Sequence, residues 1–285
     1  MNKYEGMFRK FSIHPLFWGV ICIGVWTAHF KELMVLFMIV FFHELGHAAA
    51  ATHYNWRIRR IQLLPFGGVV EMEEHGNKPI REEVIVILAG PAQHIWMVLL
   101  AYMLHENGWM SENAYTFFLW NNLSVFFINF LPVWPLDGGK LLFCIYSMGT
   151  SYLQAHRMML VTSVIFVTLC ILGGLLWNKT NITMWTMLVF LLISLYHEWK
   201  QQPYAFLRFL LERYYNKATT IRSITSISVN KSDPLFVVFM KFRRGYKHSV
   251  IIRGKDRQYI LDENELLYAY FSEKRTRSSV GELIG

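Results

Sequence analysis

Charged residues are scarce in this 285-residue chain: they make up 17%, where soluble domains carry about a quarter. That scarcity excludes an ordinary cytosolic enzyme. Intrinsic disorder is excluded as well, because 54% of the residues are hydrophobic and 16% aromatic. Cysteine is equally sparse. Cys22, Cys144 and Cys170 are an odd set, each inside an apolar run and without C-x-x-C spacing, which excludes a disulfide scaffold. Internal repeats and low-complexity segments are also missing.

The charge that exists is unevenly placed. Acids and bases cancel over residues 1–199, so the whole net charge of +8 sits in residues 200–285. An apolar part is thereby separated from a basic tail. A cytoplasmic tail beside anionic lipid heads accounts for that excess, and no direct nucleic-acid binding is expected.

Apolar runs, by contrast, are abundant. A membrane-crossing helix needs about 20 mostly apolar residues. Six runs qualify: Pro15 to Phe30, Leu33 to Ala51, Val84 to Leu104, Tyr115 to Leu131, Met158 to Trp177 and Ile182 to Trp199. The first follows Lys3, Arg9 and Lys10 like a signal peptide, but no small-x-small cleavage site follows it, so it is read as a retained helix. Alternate loops carry Arg57, Arg59, Arg60, Lys78, Arg81, Lys140 and Arg157 on that same side, against Lys31 and Lys179 on the other. The positive-inside rule then puts both termini in the cytoplasm, as an even number of spans requires.

The expected fold class is an α-helical polytopic membrane protein with six transmembrane helices over residues 1–199. Residues 61–72, with Pro65 and the Gly67-Gly68 pair, read as a membrane-associated β-hairpin packed on the helices. An amphipathic linker follows at 200–217. Residues 218–285 read as a small α/β domain: strands at Ile221 to Val229, His248 to Ile252 and Gln258 to Leu261, helices from Leu235 to Phe242 and Asn264 to Tyr270.

One motif carries chemistry. His43-Glu44-Leu45-Gly46-His47 is H-E-x-x-H inside an apolar helix. Histidines at i and i+4 share a helix face and can converge on one zinc ion, with the glutamate beside the first as general base. Burying that glutamate in a membrane costs about 2.5 kcal/mol or more, so it is expected to have a task. A catalytic zinc takes three protein ligands. Asp137 is the candidate third: it ends a broken, Pro- and Gly-rich stretch from Asn129 to Gly139, and the topology puts it at the depth of His43 and His47.

The helical H-E-L-G-H, the later N-x-x-P-x-x-P-L-D-G-G, the Pro65-Phe66-Gly67-Gly68 turn and Ala89-Gly90-Pro91 together resemble the site-2 protease family of intramembrane zinc metalloproteases. One departure stands out: that family often has Asn three residues after the Pro, where this chain has His94. The resemblance implies one Zn2+ per chain on His43, His47 and Asp137, and Glu44 as the catalytic base. It also implies substrate contacts at Asn129, Pro132, Pro135, Phe66 and Gly67. The tail resembles a single CBS-type module, which implies ATP or another adenine nucleotide and pairing of chains into a homo-oligomer. A membrane core followed by such a tail resembles the family's sporulation branch. That implies cleavage of the pro-form of sigma factor K at the forespore-surrounding membrane of a mother cell, held in check by inhibitory membrane partners. Two rival readings are a metal-ion transporter with a regulatory tail and a nucleotide-sensing scaffold with a dead site.

Overall fold

The computed structural model describes residues 11–13, 26, 30–64, 67–72, 78–177, 180–215, 223–253 and 258–284. The first expected span therefore lies outside the described residues apart from Trp26 and Phe30. Among the described residues, four helices are long and apolar enough to cross a membrane: Phe30–His53 (α1), Ile80–Glu106 (α2), Tyr152–Leu176 within Tyr152–Trp177 (α5), and Ile182–Tyr214 (α6). Their outward faces carry Ile95, Leu99, Met103, Leu169 and Leu176, an apolar coat suited to lipid. α1 stops at Asn55, whose φ of 58° is the left-handed conformation that ends helices. Asn181 caps the start of α6 by accepting from the Met184 N–H at 3.0 Å.

Three helices differ from expectation. Glu112–Asn129 (α3) forms where a span was expected, but Asn121, Asn122 and Asn129 keep it below the apolarity of the other four. Asp137–Gly149 (α4) occupies what reads in the sequence as an irregular continuation and a loop. Its Pro-rich approach hides the helix from a periodicity reading. α6 runs without a break past Pro203 to Tyr214, so most of the expected linker is helical. Phe206, Phe209 and Leu210 on that extension join the hydrophobic core of the tail.

The hairpin forms as Ile58–Leu64 (β2) antiparallel to Gly67–Met72 (β3), with Leu64 opposite Gly67 and Leu63 opposite Gly68. Phe11–Ile13 (β1) adds a parallel strand on the far side of β2, so that β3 is an edge among the described residues. Both hairpin strands pack against α1.

In the tail, Ser223–Asn230 (β4) pairs in parallel with Tyr246–Arg253 (β5), and β5 pairs antiparallel with Gln258–Asp262 (β6). The crossover between the parallel strands contains Leu235–Phe239 (α7), and Glu263–Phe271 (α8) follows β6 behind a capping box of Asp262 and Glu265. Leu235, Val238, Phe239, Val250, Ile252, Leu266 and Leu267 make its core.

Buried ion pairs fix the tail to the helices. Arg244 is 2% exposed and pairs with Glu83 in the first turn of α2, with its guanidinium 5.3 Å over the Phe143 ring of α4. Arg213, at the end of α6, donates to Glu263 at 2.5 and 2.9 Å and to the Tyr246 carbonyl. His248 donates to Glu263 through Nδ1 at 2.8 Å, and its Nε2 accepts the Arg243 N–H at 3.0 Å, so its ring is neutral. Burial pushes His248 below its ordinary 6.5. Burial would raise Glu263, but hydrogen bonds from His248 and Arg213 outweigh it and hold the carboxyl at about 2 against an ordinary 4.5.

Both depressed values act in the same direction. The His248 contribution is complete above pH 6.5 and fades below it. The Glu263 contribution, about 3 kcal/mol, is complete above pH 4.5 and is lost as pH falls from 4.5 to about 2. Scanning calorimetry of the full chain is expected to show a tail transition that falls on acidification and steepens below pH 4.5. Glu263→Gln should remove the steep part.

Candidate metal centre

His43, Glu44 and His47 are all buried on the second half of α1, and their ligand atoms lie within 4.8 Å of one another. The Nε2 atoms of His43 and His47 are 3.1 Å apart. Asp137, the first residue of α4, places Oδ2 3.1 Å from each. Three donor atoms thus form a triangle with equal sides.

The hydrogen bonds behind the triangle decide what it can hold. His47 donates its Nδ1–H to the Val86 carbonyl of α2 at 2.8 Å. A carbonyl only accepts, so His47 Nε2 carries a bare lone pair. His43 Nδ1 lies 3.1 Å from His94 Nε2, on α2. Lys140, one turn along α4, donates to Asp137 Oδ1 at 3.0 Å, while Oδ2 has no hydrogen-bond donor. With His43 Nε2 also bare, three acceptors would be crowded together and would repel one another unless a cation sat among them. The edge of a tetrahedron of about 2.0 Å zinc bonds is about 3.3 Å, close to the 3.1 Å sides of the triangle. Two imidazoles and one carboxylate are also a usual catalytic zinc set, with a fourth position left open.

Local structure explains how these groups meet. Gly90 in α2 faces the His47 ring, and a Cβ there would lie 2.3 Å from Nε2. The ring occupies the space that any side chain would take. The loop 130–136 folds back over the start of α4, where a Cβ on Gly138 would lie 2.4 Å from the Leu131 carbonyl. Asp137 therefore sits at a helix N-terminus, whose positive end favours a carboxylate.

The other expected site residues are placed less centrally. Asn129 bonds back to its own helix through the Val125 carbonyl at 3.0 Å. Pro132 and Pro135 are half-buried in the loop before α4. Gly67 opens β3, and Phe66 lies outside the described residues. Pro91 falls inside α2. Sequence reasoning missed Lys140, Asn122 and the link from His94 to His43. The available signals were an Asn in an apolar run and a Lys three residues after Asp137.

The profile of peptidase family M50 matches residues 31–110 and 104–172. Stage IV sporulation protein FB of Bacillus subtilis is 45% identical over 285 residues, covering 100% of this chain and 99% of that protein. A zinc metalloprotease of Methanocaldococcus jannaschii is 33% identical over 150 residues, 50% of this chain and 39% of that one. The solved site-2 protease from Methanocaldococcus jannaschii matches with a TM-score of 0.54 at 28% identity, covering 66% of this chain and 89% of that chain.

Proposed function

The chain belongs to peptidase family M50, and from that membership we propose that His43, His47 and Asp137 hold its zinc, that Glu44 is the base, and that the pro-form of sigma factor K is its substrate. It is an intramembrane zinc metalloprotease of the site-2 type, which sets aside the metal-transport and scaffold readings. The observation that carries the residue assignment is the donor triangle with Glu44 beside it.

When bound, zinc lowers the pKa of water at its open position to about 7 and polarises a carbonyl. Glu44 would accept the proton of the attacking water as its oxygen bonds to the scissile carbonyl carbon. The same carboxyl then gives the proton to the amide nitrogen as the C–N bond breaks. The substrate has to be extended, since a helix buries its carbonyls in hydrogen bonds. The edge of β3 offers backbone groups on which such a strand can be added, and Gly67 lies at its start.

Several finer readings belong with this one. Six spans with both termini in the cytoplasm agree with the Lys and Arg distribution, and residues 1–199 form the protease portion. The CBS-like tail is the regulatory portion. Its adenine nucleotide would have room in a cavity of about 700 Å3 that includes Arg157, Thr225, Ser226, Lys241 and Arg243. By the likeness to the sporulation protein, the chain works in the forespore-surrounding membrane under inhibitory membrane partners, and its single CBS-like module pairs between chains in a homo-oligomer.

Removing the metal tests the centre of this proposal. Purified chain reconstituted with the pro-form of sigma factor K is expected to cleave it, to fall to background after a zinc chelator, and to recover when Zn2+ is returned. Intact substrate beside zinc-loaded protein would defeat the substrate assignment. Cleavage that survives complete zinc removal would defeat the zinc assignment.

A further inference from the structure

We infer that His94, oriented by Asn122, is a positioning residue that fixes which nitrogen of His43 faces the metal; this rests on the zinc-site reading above. His94 is 3% exposed and Asn122 is 0% exposed, both within the helix bundle. His94 Nε2 lies 3.1 Å from His43 Nδ1, and His94 Nδ1 lies 3.1 Å from Asn122 Oδ1. Three helices are joined by this chain of contacts: α1 through His43, α2 through His94 and α3 through Asn122.

With Asn122 Oδ1 turned toward His94, the proton order along the chain follows. Asn122 Oδ1 can only accept, so His94 Nδ1 must carry a hydrogen. A neutral His94 then has a bare Nε2, which accepts from His43 Nδ1–H. His43 Nε2 is left with its lone pair directed at the triangle, as Val86 arranges independently for His47. Turning the Asn122 amide over would reverse every donor and put a proton on His43 Nε2, between the donors that have to share a cation. The amide orientation is thus tied to metal binding.

This assigns a purpose to two features that the catalytic motif leaves unexplained. A polar Asn122 is retained inside α3 although it weakens that helix as an apolar span. The imidazole at position 94 takes the place of the family's usual Asn and reaches across to His43.

Zinc affinity of the full-length chain in detergent, read by competition with a chromogenic chelator, tests the inference. Absorption of the Co2+-substituted protein provides a second readout. His94→Phe keeps a ring but loses both nitrogens, and is expected to weaken zinc binding about 10- to 100-fold, shift the Co2+ spectrum and leave KM within about threefold. Asn122→Leu should weaken zinc binding similarly. Asn122→Asp keeps an acceptor for His94 and should stay within about threefold of the parent. Should His94→Phe fail to fold, the Asn122 pair decides, since Asn122 does not touch His43, His47 or Asp137. Parental zinc affinity in Asn122→Leu overturns the inference alone. A parent chain that binds no zinc overturns the site reading and this inference with it.

Discussion

Glu44→Gln is expected to lower kcat by about 10²- to 10⁴-fold while zinc content stays at the parental level. Glu44 is buried beside His43 with its carboxylate in the same cluster of ligand atoms. Glutamine has nearly the same shape, so packing along α1 survives. It cannot accept the proton of an attacking water, so the loss falls on the chemical step. Zinc is retained because Asp137 already brings a carboxylate oxygen to both imidazoles. Metal analysis beside single-turnover cleavage reads both halves. Full activity in the variant would remove Glu44 from the base role. Loss of zinc would show that Glu44 is a ligand and that Asp137 is not the closing one.

Gly90→Ala is expected to weaken zinc binding by at least about 10²-fold, an effect as large as removing a ligand, although Gly90 has no side chain. Its added methyl would lie 2.3 Å from His47 Nε2, 2.5 Å from Cε1 and 2.8 Å from Cδ2. The ring has little room to retreat, because its Nδ1–H is held by Val86 on the same helix at 2.8 Å. Displacing it by about 1 Å opens the triangle, and misplacements of that size cost about 10²-fold in catalysis. Gly149→Ala is the control, since a Cβ there has nothing within 4 Å. It should bind zinc like the parent. Normal zinc affinity in Gly90→Ala would mean that His47 does not hold the metal in the orientation seen.

Much of the fold is legible in the residues. The apolar runs at Leu33 to Ala51, Val84 to Leu104, Met158 to Trp177 and Ile182 to Trp199 all fall within the four long helices. The alternation around Val229 and Val250 and the Gly67-Gly68 pair announce the tail strands and the hairpin. Legibility fails where a helix does not follow an apolar period. α4 hides behind Pro132 and Pro135, and the extension of α6 passes a proline that usually ends a helix.

By itself the sequence determined what depends on neighbours along the chain. The i, i+4 spacing puts two imidazoles on one face, apolar length sets the helices, and alternation sets the strands. Only the tertiary structure decided which groups from different helices touch: Asp137 Oδ2 with both rings, His94 with His43 and Asn122, and Gly90 against His47. The physical reason is that a helix's rotation and depth against its neighbours arise from packing many side chains at once. A shift of 1 Å in that packing makes or breaks a metal site without changing a single residue spacing.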